Sequence, residues 1–265
     1  MGDDTILSVK DLTVQFGGVR ANDAITFDVE RGELFALIGP NGAGKTTLVN
    51  AISGVYVPAE ETEVRFTDGK GQTHDLIGQR PFQIARLGVA RTFQNLGLFP
   101  SQTVLDNLML GRYIHENTGA VSGSFFNRFA VRKELAARKR CEEVIELLEI
   151  GQYRWEVVAN LPYGVQKRIE LGRVLTMEPE FLFLDEPMAG MTVEEKQDMV
   201  RYMYAILDEL DTTMLIIEHD MGVVMSIAER VMVVDFGKRI ALDVPDVVQR
   251  DETVIAAYLG AEDAA

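Results

Sequence analysis

The sequence predicts an α/β fold: a mostly parallel sheet, an antiparallel β portion near its start, and an inserted block of helices. Three observations carry this. Continuous apolar runs at Leu34–Ile38 (LFALI), 181–184 (FLFL) and 214–217 (MLII) are separated by helical pattern, and strands buried on both faces between helices form parallel sheets. Segments 7–16 and 24–30 instead alternate apolar and polar residues, the period of half-buried antiparallel strands. From 106 to 150 the period becomes helical.

Taken in order, the strand at 7–16 is punctuated by Gly17-Gly18 and the strand at 24–30 by Arg31-Gly32. The run at Leu34–Ile38 feeds a glycine-rich loop, then a helix over 46–53 that ends at Gly54. Residues 64–76 read as a polar hairpin turning at Asp68-Gly69. In the helical block, Ala137, Cys141, Val144, Ile145 and Leu148 share one face, and Gly151 is the expected stop. Phe125, Phe126 and Phe129 read as local core rather than a docking stripe. The tail at 245–259 reads as one short helix.

Composition excludes several functions. With 265 residues, 47% hydrophobic and 25% charged, the chain can bury a large core, so disordered and collagen-like readings drop out. Twenty-six basic against 41 acidic residues give a net charge of −15, which repels a phosphate backbone; nucleic acid is not an expected partner. The single cysteine, Cys141, forms no internal disulfide, and a reducing cytoplasm fits. The acidic start, MGDDTILSVKD, lacks the pattern of a secretory leader, and no apolar run reaches a membrane span of ~18 residues. Membrane association is therefore expected only through a partner.

Residues 39–46 (GPNGAGKT) fit G-x-x-x-x-G-K-[ST] between an apolar strand and a helix, the context of a phosphate-binding P-loop. Its glycines let successive N–H groups curl round a phosphate, the helix start adds positive charge, and Lys45 reaches the β- and γ-oxygens. Thr46 is the expected magnesium ligand. Asp185, closing the apolar run at 181–184, is placed to hold magnesium through water, and Glu186 beside it to polarise an attacking water as general base. Gln94 and His219, taken singly, read as a surface amide and a strand-capping histidine.

Together these residues resemble the nucleotide-binding subunit of ABC transporters over essentially the whole chain. The resemblance implies a P-loop NTPase (RecA-like) core with an antiparallel β subdomain and an inserted helical subdomain. Within one domain of 1–265, the nucleotide-binding core is expected at 1–94 and 179–244, the helical subdomain at 95–178 and a C-terminal helical extension at 245–265. It implies ATP and Mg²⁺ as cofactors, with Gly39, Pro40, Asn41, Gly42, Ala43, Gly44, Lys45, Thr46 and Thr47 around the phosphates and Phe16 stacked on adenine. Gln94 would join Thr46 and Asp185 at the metal and couple to a transmembrane partner, and His219 would contact the γ-phosphate, acting with Glu186 and Lys45 in hydrolysis. The implied partners are integral membrane permease subunits, a second ABC ATPase subunit and, indirectly, an extracytoplasmic solute-binding protein. The implied location is the cytoplasmic face of the membrane.

The sequence departs from the family at its signature, normally Leu-Ser-Gly-Gly-Gln, which here is Leu161-Pro162-Tyr163-Gly164-Val165 followed by Gln166. Pro162 offers no hydroxyl, so one charge-assisted hydrogen bond of roughly 1.5–3 kcal/mol is missing. Proline favours a first helical position, leaving N–H groups of Tyr163, Gly164 and Val165 to face a phosphate. A partner ATPase with a complete signature would compensate, so a heterodimer is the expected pairing. Thr192 stands where the family has an aspartate.

The stretch 88–95 (GVARTFQN), Leu98-Phe99-Pro100, the long insertion and the ending Ala257-Tyr258-Leu259-Gly260 are similar to ATPases of branched-chain amino acid importers. That subfamily includes importers of urea, amides and aromatic acids. Soluble ABC proteins of DNA repair or translation fit less well, since they carry paired cassettes or long coiled coils and basic surface. A purely regulatory nucleotide-binding module is the third reading.

Overall fold

The computed structural model describes residues 4–92, 96–115 and 128–262. Gln94, Phe125 and Phe126 lie outside them.

Strands β1 (Thr5–Phe16) and β2 (Val19–Glu30) form an antiparallel hairpin that pairs with β4 (Glu63–Thr67) and β5 (Thr73–Asp75) in the order β2-β1-β4-β5. The second sheet runs β10-β9-β3-β8-β7-β6. Its strands are β3 (Leu34–Ile38), β6 (Val89–Arg91), β7 (Phe181–Asp185), β8 (Thr213–Ile217), β9 (Arg230–Asp235) and β10 (Lys238–Asp243), all parallel except β10 against β9.

The expected double-sided burial is visible residue by residue. Leu34, Ala36 and Ile38 of β3 enter one apolar cluster, while Phe35 and Leu37 enter the other. The same alternation places Leu182 and Leu184 opposite Phe181 and Phe183, and Met214 and Ile216 opposite Leu215 and Ile217. A continuous apolar run thus serves two cores at once.

Helix α1 (Lys45–Ile52) follows β3, and the short α2 (Pro81–Arg86) precedes β6. Three helices, α3 (Val104–Arg112), α4 (Arg128–Leu147) and α5 (Tyr163–Leu175), pack together before β7. Cys141, Val144, Ile145 and Leu148 are buried as the periodicity predicts. Gly172 of α5 admits their close approach: a Cβ there would lie 3.0 Å from Leu148 and 3.3 Å from Val144. Helix α6 (Val193–Leu210) crosses between β7 and β8, and α7 (Met221–Ile227) between β8 and β9.

Four expectations are corrected. Helix α4 ends at Leu147, and the left-handed residue that terminates it is Glu149, not Gly151: Glu149 lies at φ 53°, and the Ile150 N–H donates to the Ile145 carbonyl at 3.1 Å, closing the terminus over two buried isoleucines. Arg201, at 2.6 and 3.0 Å, and the Tyr202 hydroxyl hold the Glu149 carboxylate, which offsets its left-handed backbone. The hairpin turn is a five-residue loop from Asp68 to Gln72, in which the Asp68 carboxylate accepts the N–H groups of Lys70 and Gln72. The tail is two helices, α8 (Pro245–Val248) and α9 (Glu252–Glu262), separated where the Asp251 carboxylate accepts the Thr253 N–H. Finally, Pro162 stands just outside α5 as its N-cap rather than as its first helical residue.

Candidate functional site

In a parallel sheet the carboxyl ends of the strands share one edge, and ligands bind there. Strands β3, β8 and β7 are neighbours, so the segments that follow them, beginning at Gly39, Glu218 and Glu186, meet at that edge.

The loop after β3 has a backbone that a side chain would spoil. Gly39, Gly42 and Gly44 lie at φ 151°, 79° and 102°. A Cβ at Gly39 would collide with the Val234 carbonyl, and one at Gly44 with the Ala21 carbonyl, whereas Gly42 faces open space. The loop is tied from both sides: Asn22 Nδ2 donates to the Gly44 carbonyl at 3.1 Å, and the Gly237 N–H to the Ala43 carbonyl at 2.9 Å. From α9, Tyr258 meets the Gly39 backbone, and burial pushes its phenol up to about 12.

Helix α1 begins at Lys45 with no acidic residue in its first turn, so its positive end is uncompensated. The Lys45 ammonium is buried and donates to the carbonyls of Gly39 at 2.6 Å and Pro40 at 2.9 Å, which leaves its third N–H. Burial lowers its pKa, and the carboxylates of Glu186 and Asp185 oppose that shift. Asn41 and Thr46 are exposed, Pro40 and Thr47 half-buried, and Ala43 buried. Glycines that keep a curl of backbone open, an unopposed helix start and one ammonium suit a polyphosphate.

Asp185 closes β7 fully buried, its Oδ2 accepting from Arg91 at 2.7 Å and its N–H donating to the Thr92 hydroxyl at 3.2 Å. Arg91 also donates to Asn50 Oδ1 at 2.6 Å, linking β7 to α1. Glu186 adopts φ 50° and lies 2.8 Å from the Nε2 of His219. Glu218, beside them, is buried; burial pushes its carboxyl up, and the N–H groups of Met188 and His219 pull it back. Among the described residues no cluster of three His, Cys, Asp or Glu side chains could hold a metal by itself. The Asp185 carboxylate at the end of β7 and the exposed Thr46 at the start of α1 are oxygen donors of the sparse kind that suits magnesium, which keeps several waters and binds through one or two carboxylates plus phosphates.

Phe16 is half exposed and meets Tyr56 edge-on, with ring centroids 5.2 Å apart. Tyr163 and Gly164 contact the segment that follows Glu186: the atoms nearest a Cβ at Gly164 all belong to Glu195, and the Tyr163 ring covers Gly190. The expectation of three donors at this helix start is reduced, because the Val165 N–H is taken by the Pro162 carbonyl at 3.0 Å. Thr192 caps α6, its hydroxyl accepting the Glu195 N–H at 3.3 Å while Glu195 accepts the Thr192 N–H at 2.9 Å.

Sequence reasoning passed over Asn22, Asn50, Arg91 and Glu218. Arg91 meets Asp185 across 94 positions of chain, and no local pattern signals such a pair. A cleft of about 280 Å³ opens between α2, β6 and α5, lined by Val55, Phe82, Ile84, Val89, Val174 and Met177.

A family model described as ABC transporter matches residues 22–189, and one described as branched-chain amino acid ATP-binding cassette transporter matches 238–264. The high-affinity branched-chain amino acid transport ATP-binding protein LivG of Salmonella typhimurium is 36% identical over 96% of this chain and 98% of its own. BraF of Pseudomonas aeruginosa, described in the same words, is also 36% identical over 96% and 98%. Among solved structures, the ADP conformation of an ATP-binding cassette of an ABC transporter superposes with a TM-score of 0.82 at 28% identity, covering 97% of this chain and 99% of that one. Another, cbiO1 from Clostridium perfringens, part of the ABC transporter complex cbiONQ, gives 0.78 at 26% identity over 97% and 94%.

Proposed function

Because the chain belongs to the ABC transporter family as an ATP-binding cassette, we propose that it is the ATP-hydrolysing, energy-coupling subunit of a branched-chain amino acid importer. The observation that carries the hydrolytic part is the meeting of the P-loop, Asp185, Glu186 and His219 on one sheet edge.

Backbone N–H groups between Asn41 and Thr46 and the Lys45 ammonium bind the β- and γ-phosphates, and Phe16 offers its exposed face to adenine. Thr46, Asp185 and Gln94 would hold magnesium, which would neutralise charge on the phosphate oxygens. Glu186 orients the attacking water and takes its proton, while His219 faces the γ-phosphate and steadies the Glu186 carboxylate. The α5 start, with Tyr163 and Gly164, serves the nucleotide of a second cassette; its lost hydroxyl at Pro162 favours a partner that differs from this chain.

Among the described residues no helix is long and apolar enough to cross a membrane. Permease subunits would therefore bring the protein to the cytoplasmic face, and the apolar cleft beside Phe82 suits one of their helices. Under this reading 1–94 with 179–244 forms the nucleotide core, 95–178 the helical subdomain and 245–265 the extension. The test is co-expression with candidate permease, partner-ATPase and solute-binding-protein subunits, followed by reconstitution into vesicles. ATP-dependent uptake of labelled leucine is expected; ATP-dependent uptake of urea or an amide but not of leucine would overturn the substrate assignment.

A further inference from the structure

Glu218 follows the last residue of β8 and is 5% exposed. Its two oxygens serve two different loops. Oε1 accepts the Met188 N–H at 2.7 Å, and Oε2 accepts the His219 N–H at 3.2 Å. Met188 lies two residues beyond Glu186, so one carboxylate joins the two chain segments that carry the Glu186–His219 pair.

The turn it holds is strained. Glu186 occupies left-handed backbone at φ 50°, a conformation that is strained for a non-glycine residue and persists only when its surroundings over-determine it. Three ties do so. The Glu186 N–H donates to the Ile217 carbonyl at 2.9 Å, its carbonyl accepts the Ala189 N–H at 3.2 Å, and the Met188 amide between them is gripped by Glu218.

We propose that Glu218 is a positioning residue for hydrolysis: its buried carboxylate clamps the Met188 and His219 amides, fixing the left-handed turn that aims Glu186 at His219. The inference rests on the ATPase reading of that pair. Only an acid of this length fits. A glutamine accepts on one oxygen and would turn an N–H₂ toward one of the two amides, and an aspartate is one methylene too short to reach both.

The test uses the full-length chain and E218Q, with E218D as second variant. Turnover, the Kd for MgATP by calorimetry, and the amide proton shifts of Met188 and His219 are measured together. Expected are at least a tenfold fall in kcat, a Kd within twofold of the parent, and upfield movement of at least one of the two amide protons. Turnover within twofold of the parent, kcat and affinity lost together, or amide shifts that stay put would each overturn the proposal. If E218Q does not fold, the same criteria applied to E218D decide. E186Q in parallel separates the two ideas: if it abolishes turnover while E218Q and E218D do not, only the role of Glu218 fails, whereas parent-like turnover in E186Q removes the hydrolytic reading itself.

Discussion

The Nε2 of His219 lies 2.8 Å from the Oε1 of Glu186, across the ends of the neighbouring strands β8 and β7. The pair is open to solvent on one side, with the histidine side chain 45% exposed and the glutamate 20% exposed. A water entering from that side meets a carboxylate already fixed in direction by the ring.

Removing the base should separate binding from chemistry. Glu186→Gln keeps the shape of the side chain and loses its basicity, so ATP affinity should stay near the parent value while turnover falls by about 10²–10⁴-fold. Phosphate release and calorimetry on the same preparation measure both.

Lys45→Ala should act on the other half. The ammonium's charge-assisted contacts are worth roughly 1.5–3 kcal/mol each, so affinity for ATP should drop by at least about tenfold. Calorimetry showing an unchanged Kd would contradict a phosphate role for Lys45.

Phe16→Ala should weaken ATP and GTP alike. Stacking is worth about 1–3 kcal/mol per base and needs only a π face, so base preference should not change. Tyr56→Ala, which removes the edge-on neighbour at 5.2 Å, should give a smaller loss in the same direction. Competition binding with both nucleotides measures the effect.

Arg91→Ala should cost stability before it costs anything else. It strands the buried Asp185 carboxylate, and breaking a buried pair costs about 3–5 kcal/mol. Arg91→Lys should not restore it, because one ammonium cannot serve Asp185 and Asn50 as the guanidinium fork does. Urea denaturation of the two variants is the measurement.

Asp211→Gly should stabilise. Asp211 ends α6 exposed and at φ 50°, where glycine carries no steric penalty, and the net gain after glycine's extra unfolded-state entropy is on the order of 0.5 kcal/mol. A raised Tm confirms it.

The parts legible in the sequence were those whose signal is local. LFALI, FLFL and MLII gave β3, β7 and β8 because a parallel strand must be apolar on both faces, and the P-loop could be read because phosphate wrapping demands glycine at fixed spacing. Strand β9 carried the same signal, Val231 to Val234, and went unread; β6, at three residues, is too short to show any period. The end of α4 was misplaced because glycine is the usual left-handed residue and Glu149 is excused by partners 52 and 53 positions away. Distance along the chain likewise hid Arg91 from Asp185, and Glu218 from Met188.

Gly97 is clasped by α5 from both sides: its N–H donates to Glu170 at 3.4 Å and its carbonyl accepts from Arg173. Glu170 is itself locked by Lys167 at 3.6 Å on the same helix. The chain entering the helical block and the helix that starts at Tyr163 are therefore one mechanical part. A displacement of the chain at Gly97 would therefore have to carry the Glu170–Arg173 turn of α5 with it or break both ties.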